Sequence, residues 1–333
     1  MIDETSFASD VADELELTSS AFAEDVIGEV DLTSSAYAED VAEAINERAV
    51  DSDLRVCQYN IGHFAMGVSP NPAWTDNTTD GYPTSTSRNY SIQLERWTNR
   101  IADIGADIYG LEEYSANFGQ HDGGYVALAD TGIFDGYAFS VGKSSGWWIN
   151  AIHALQKYTL TNAQDIDLGS TVSTKAYVRV AEFTLNGVTV KMASTHLNWN
   201  QSQAHFDSRQ IEVKNLVKLF QNDPYVILCG DFNCRPMSGD EVNGLHDLDP
   251  FINGFTEDGV TYQGGFSLAN NLNNPLASCY ATGSRPDLND PNYPFVYIDN
   301  IVVKGFTIQK VTLINDGTLT DHCGLVADLK MIV

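Results

Sequence analysis

The 333-residue sequence has no run of about 18 consecutive apolar residues, which excludes an obvious membrane-spanning helix. Its opening stretch, MIDETSFASD, has neither the basic segment nor the apolar core of a secretory signal, giving the expectation of a cytoplasmic or assembly-associated protein. The five cysteines, Cys57, Cys229, Cys234, Cys279 and Cys323, form no CxxC pair, which argues against a zinc-ribbon or thioredoxin-like motif. Cys57 and Cys229 sit inside apolar runs, where a reduced thiol packs as a small hydrophobe, so the set reads as buried thiols. Basic residues are scarce. Eighteen Lys and Arg face 45 Asp and Glu, for a net charge of −27, and such a field repels polyanions and excludes a broad basic face.

The charge is unevenly placed. Residues 1–50 carry 14 acidic side chains against Arg48 alone. The same segment repeats every fifteen residues, as FASDVADEL, FAEDVIGEV and YAEDVAEAI, starting at Phe7, Phe22 and Tyr37. Each unit sets apolar residues at i, i+4 and i+8, one stripe of a short helix, and LTSS precedes the second and third as an N-cap signal. None of these helices can bury its stripe alone, so residues 1–50 are expected to serve docking to a protein partner or homo-oligomerisation. A disordered acidic leader is the alternative.

From residue 51 the chain reads as one α/β domain, with 43% apolar residues overall to build its core. LRVCQYNIG, DIYGLEE and YVILCGDFN read as strands, and AYVRVAEFTLNGVTVKMASTHL as two strands about an Asn186-Gly187 hairpin turn. Leu94, Trp97, Ile101 and Ile104 share one helical face, as do Val213, Leu216, Val217 and Phe220. Residues 64–89 and 253–294, rich in Gly, Asn, Pro, Ser and Thr, read as long loops.

The apolar runs stop on polar groups. VCQYN ends on Asn60, IYGLEE on Glu112 and Glu113, VKMASTHLNWN on His196 with Asn198, and FVYID on Asp299. Asp321 and His322 open the last strand. In YVILCGDFNCRP, an extended chain would place Asp231 and Asn233 on the same face at a strand mouth, shortly before Pro236 ends pairing. Taken alone, an Asp-x-Asn is a common turn. Strand ends of layered α/β proteins are where ligands bind, because a rigid scaffold there meets free loops.

The ordered series YNIG, GLEE, STHL, GDFN, YIDNI and TDHCGLV resembles the endonuclease/exonuclease/phosphatase superfamily, which includes DNase I-like nucleases, neutral sphingomyelinases and inositol polyphosphate 5-phosphatases. The match covers roughly residues 54–333. The resemblance implies a four-layered α/β sandwich, two packed mixed sheets flanked by helices, with a Mg²⁺-dependent phosphoesterase site (Mn²⁺ being the alternative metal). It implies Glu113 as the principal metal ligand with Asn60 beside it, and Asp321 completing the shell. Asp231 is then the group that orients or activates the attacking water, and Asn233 holds a phosphate oxygen. His322 is the acid/base histidine, oriented by Asp299, and His196 steadies the phosphoryl charge. Glu112 reads as the bystander of the pair. Asn300, where a histidine or tyrosine is common, and the loose segment ALQKYTL depart from the pattern.

Arg179 and Asn198 complete the candidates as substrate-binding groups, Arg179 being equally readable as a surface strand residue. Trp147 and Trp148 could wall the substrate, although packing explains them as well. His63, His121, His153, His205 and His246 fall outside the motifs and read as structural or surface residues. The leading expectation is a metal-dependent phosphodiesterase, a DNase-like nuclease with nucleic acid as substrate. The acidic charge does not oppose this where divalent metal covers the site's own carboxylates. Two alternatives stand: a phosphoesterase acting on a phospholipid head group or a phosphorylated small molecule, and an assembly-docked structural module carrying this domain.

Overall fold

The computed structural model describes residues 48–64, 88–115, 117–118, 126–142, 149–234, 241–279, 296–315 and 319–332. The N-terminal repeats, most of the 64–89 loop, Trp147, Trp148 and His121 lie outside the described residues. The chain divides into two units between Glu47 and Arg48, and the described residues belong to the second.

The first eight strands are β1 (Leu54–Asn60), β2 (Ile108–Glu112), β3 (Asn117–Phe118), β4 (Val126–Ala127), β5 (Tyr137–Val141), β6 (Ala151–Leu155), β7 (Thr161–Asp167) and β8 (Tyr177–Leu185). The next eight are β9 (Val188–His196), β10 (Val226–Asp231), β11 (Phe255–Glu257), β12 (Val260–Tyr262), β13 (Ser267–Leu268), β14 (Asp299–Lys304), β15 (Phe306–Ile314) and β16 (Gly324–Met331). Helices α1 (Arg88–Ile104), α2 (Gln203–Phe220) and the short α3 (Asp249–Asn253) accompany them. Two six-stranded mixed sheets result, ordered β15-β16-β1-β2-β6-β5 and β13-β14-β10-β9-β8-β7.

The inner faces of the two sheets meet through Val56, Ile108, Ile152, Met192, Ile227, Cys229, Ile301 and Leu325, all fully buried. At Gly110 the approach leaves no room for a side chain: a Cβ there would lie 2.3 Å from Cys229 Cβ. Helix α1 covers the outer face of the first sheet, its Trp97 ring 5.4 Å from that of Tyr59, while Tyr109 Oη donates to the Ile101 carbonyl at 2.9 Å. Helix α2 covers the second, packing Val213, Leu216, Val217 and Phe220 against Val178, Val226 and Leu228. These are the apolar faces expected from helical spacing, and the arrangement is a four-layered sandwich. Asn186 and Gly187, with φ of 51° and 80°, turn β8 into β9 and pair Leu185 with Val188. All five cysteines are free and buried. Among the described residues no helix is long and apolar enough to cross a membrane.

Two expectations change here. The 253–294 loop is partly structured, since β11 and β12 form a hairpin about Asp258 and Gly259 (φ 50° and 77°) and β13 adds to the second sheet. Strands of two or three residues are too short to show a period. The strand that contains Asp299 begins there rather than ending there. It runs antiparallel to β10, so its first residue sits beside the last residue of β10.

That reversal gathers the site. Within each sheet the central pair is parallel, β1 with β2 and β9 with β10. The flanking strands, β16 and β14, run antiparallel to them. The C-terminal ends of β1, β2, β9 and β10 therefore share one rim with the N-terminal ends of β14 and β16. Every motif residue found at a strand terminus lies on it.

Candidate active site

Asp231, the last residue of β10, is opposite His196 of β9 on one side and Asp299 of β14 on the other. Its Oδ2 lies 3.3 Å from His196 Nε2 and 3.7 Å from His322 Nε2. The same oxygen accepts the Asn60 amide Nδ2 at 3.1 Å from the first sheet, so both sheets contribute to one pocket. Asn233 is not extended. At φ 48° it turns its backbone N–H back to Asp231 Oδ1 at 3.0 Å, an Asx turn beyond the strand end. A turn, and not shared-face geometry, thus brings these two residues together. The Asn233 side chain donates one amide hydrogen to the Leu197 carbonyl at 2.9 Å, leaving its second to other partners.

His322 enters from the segment just before β16. Its Nδ1 lies 2.9 Å from Asp299 Oδ2, and Asp299 is itself held by Ser278 Oγ at 2.8 Å and Gln58 Nε2 at 2.9 Å. Burial disfavours the charged ring, yet the Asp299 carboxylate outweighs it and raises the His322 pKa well above the ordinary histidine value. Nε2 is left facing the pocket. Asp321 Oδ1 is 4.0 Å from that nitrogen, and Thr320 Oγ1 ties the segment to the Asn60 carbonyl at 3.1 Å.

Glu113 follows β2 with φ 48°, a conformation costly for a residue with a side chain, and this positive φ re-aims it away from the direction of Glu112. Its Oε1 accepts Asn60 Nδ2 at 3.3 Å. Asn60 Oδ1 is turned away to the Gly62 N–H at 3.1 Å. Asn60 thus presents its nitrogen, and not its oxygen, to Glu113 and Asp231. Glu112 is the bystander in direction only. Fully buried, it takes Gln58 Nε2 at 2.9 Å and Ser194 Oγ at 3.0 Å, which makes it a brace between the sheets.

The electrostatics identify what this donor set suits. Burial, followed by repulsion from Asp321, pushes Glu113 up to about 7. Burial and then Asp299 push Asp231 up to about 8, and burial raises Asp321 also. Among the described residues, Asp231, Asp299 and Asp321 find only imidazoles as cationic partners. Crowded, buried carboxylates with hard oxygen donors fit a divalent cation, which would relieve their repulsion.

Arg179 and Asn198, the two expected substrate groups, both have protein partners. Arg179 donates through Nε and Nη2 to Ser140 Oγ at 3.1 and 2.9 Å and pairs with Asp165, its direct cross-strand neighbour, at 3.3 Å. In this arrangement its charge is offset by Asp165, and its place is a strut between sheets. Asn198 gives Nδ2 to the buried Glu212 of α2, which also accepts Ser208 Oγ at 2.9 Å, while Arg209 Nη1 donates to the Asn198 carbonyl at 2.9 Å. Asn198 anchors the loop after His196 to the helix behind it.

Three further histidines have described side chains. His153 is buried among Phe134, Phe139 and Tyr114, and burial lowers it to about 3, so it stays neutral. His205 meets Ser202 at the start of α2, and His246 meets Asp249 at 3.1 Å. Asn300, the departure noted in the sequence, is fully buried and exchanges hydrogen bonds with the Asn270 backbone. Gln58, Ser194, Ser278 and Thr320 were missed from the sequence. Gln58 and Ser194 lie two residues before Asn60 and His196, on the same strand faces, a period that could have found them.

The fold recurs in solved structures. TDP2 from D. rerio, in a complex with single-strand DNA product, superposes with a TM-score of 0.55 at 14% identity, covering 84% of this chain and 99% of that one. The human Nocturnin catalytic domain with bound sulfate gives 0.55 at 18% identity, covering 86% and 98%. A mannosyl-6-phosphatase of Bacteroides thetaiotaomicron gives 0.54 at 14% identity, covering 84% and 100%. At these identities the likeness is one of fold alone. No curated protein sequence matches the chain. Residues 57–322 match the Endonuclease/Exonuclease/phosphatase family, and the chain belongs to that family of phosphoester hydrolases.

Proposed function

We propose that this protein is a divalent-metal-assisted phosphodiesterase that uses water as nucleophile, with a nucleic acid as its leading substrate class. The observation that carries the reading is the convergence on Asp231 Oδ2 of two imidazole nitrogens, at 3.3 and 3.7 Å, one from the end of β9 and one from the segment before β16. Glu113 and Asp321 would hold a cation, Mg²⁺ or Mn²⁺ by its preference for oxygen, and it would supply the positive charge an anionic phosphoester needs before a nucleophile can approach.

The chain's own groups divide the remaining work. In its ionised form, which crowding disfavours at neutral pH and a bound cation would restore, Asp231 orients the water and takes its proton as the oxygen attacks phosphorus, while the bond to the leaving oxygen breaks. His322 keeps its proton because Asp299 stabilises the charged ring, so its Nε2–H faces the phosphoryl group as a charged donor. His196 donates from the opposite side, and the unused amide hydrogen of Asn233 is the third donor at this rim.

A second reading, hydrolysis of a small phosphorylated molecule or a lipid head group, is favoured by one observation. The arginine expected to meet a polyanion is paired with Asp165 instead. Purified protein with Mg²⁺ or Mn²⁺ should be offered plasmid DNA, single-stranded oligonucleotide, RNA, a sphingomyelin analogue, inositol phosphates and a sugar phosphate. We expect metal-dependent turnover of one class and its loss by about 10²–10⁴-fold in Asp231→Ala and His322→Ala. Unaltered turnover in both variants would reject this site.

A further inference from the structure

Cys279 has no part in the hydrolysis proposed above, yet its Sγ lies 3.7 Å from His322 Nε2, the nitrogen left over once Nδ1 has met Asp299. Asp321 Oδ1 is 4.0 Å from the same nitrogen. The three donor atoms all lie within 4.8 Å of one another, and all three residues are buried. Their placement is fixed by the backbone: Cys279 forms a β-bridge with His322, and the Cys323 N–H donates to the Ser278 carbonyl at 2.6 Å.

A magnesium site has no use for a thiol, because hard cations take oxygen. Zinc and cadmium take sulfur, imidazole and carboxylate together. Tetrahedral zinc with ordinary bond lengths separates sulfur from nitrogen by about 3.6 Å and nitrogen from oxygen by about 3.4 Å. The distances here, 3.7 and 4.0 Å, are a small contraction away. The surroundings fit as well. A histidine that ligates zinc through one nitrogen usually directs the other N–H to a carboxylate, and Asp299 already stands at Nδ1. A water can take the fourth position.

We propose that Cys279, His322 and Asp321 form a site for a thiophilic divalent cation, zinc or cadmium, whose occupation shuts the active site. On binding, the thiol releases its proton to solvent and its sulfur lone pair goes to the metal. The charged imidazole also releases its Nε2 proton to solvent, keeps the proton at Nδ1 toward Asp299, and gives the Nε2 lone pair to the metal. That nitrogen and Asp321 are then both withdrawn from catalysis. The binding half of this proposal is independent of the phosphodiesterase reading; the inhibitory half rests on it.

Cadmium added to the full-length protein should produce the ultraviolet charge-transfer band of a cadmium–thiolate bond. The band should vanish in Cys279→Ser, and in Cys279→Ala should the serine variant fail to fold. His322→Ala should weaken cadmium binding at least about tenfold. In the Mg²⁺-supported assay, Cys279→Ser should need at least about tenfold more zinc than wild type for half-inhibition. No band, or a band that persists without Cys279, overturns the site. A Cys279-dependent band without zinc inhibition of an active enzyme overturns the shut-off. A Cys279-dependent band in a protein that turns over no substrate supports the site and counts against the phosphodiesterase reading.

Discussion

Asp231 and Glu113 hold their protons unusually long because burial and neighbouring carboxylates penalise their charged forms, up to about 8 and about 7. In the unfolded chain both ionise near about 4. Between those values the folded state binds more protons, so the stabilisation is complete below the unfolded values and is lost as pH rises through the folded ones. His322 acts in the same sense: with its folded pKa raised, its contribution is whole below about 6.5 and fades as pH climbs past the folded value. Metal-free protein is therefore expected to melt at progressively lower temperature from about pH 5 to about pH 8. Asp231→Asn, which cannot ionise, should flatten that slope. Mg²⁺ binds the ionised carboxylates, so the rise in Tm it gives should grow with pH. A calorimetric series at several pH values, with and without Mg²⁺ and for both proteins, checks all three. A flat wild-type profile would contradict the crowded-carboxylate account.

At the scale of elements, the rim exists because two sheets approach closely enough for Asn60 of one to reach Asp231 of the other. At Gly110 of β2 that approach leaves no room for a Cβ. Gly110→Ala would force its methyl into Cys229 Cβ and is expected to cost about 1–3 kcal/mol, with an additional fall in turnover as the sheets spread. Urea unfolding and kcat measure the two effects. Much of this architecture was legible in the sequence. Strands β1, β2 and β10 are apolar runs that stop on chemistry, the Asn186-Gly187 turn fixes a hairpin, and Trp97, Ile101 and Ile104 mark the buried face of α1. What escaped depends on distant partners or on very short elements. Nothing local to Arg179 reveals that Asp165 faces it across β7 and β8. Nothing near His322 announces Ser278 and Cys279, which reach it from a separate segment through a single bridge. The Asp258-Gly259 hairpin offered only three residues a side.

At the scale of the whole molecule, the net charge of −27 sets a long-range field that any anionic substrate must cross. Residues 1–47 hold 14 acidic residues and no Lys or Arg, so their removal takes away about half of that charge and none of the rim. Repulsion between the chain and a polyanion grows with the charge on both, whereas a small phosphodiester with one charge feels little of it. Truncation to residues 48–333 is therefore expected to raise kcat/KM several-fold on plasmid DNA at low ionic strength. The two chain lengths should converge near physiological salt, where screening shortens the field to about 8 Å. On a small chromogenic phosphodiester the two should match at every salt concentration. Unequal rates on the small substrate would mean that residues 1–47 act at the rim itself and not through their charge. Light scattering on the same pair of proteins tests the docking expectation: a repeat segment that joins chains must lower the mass to that of a monomer when removed.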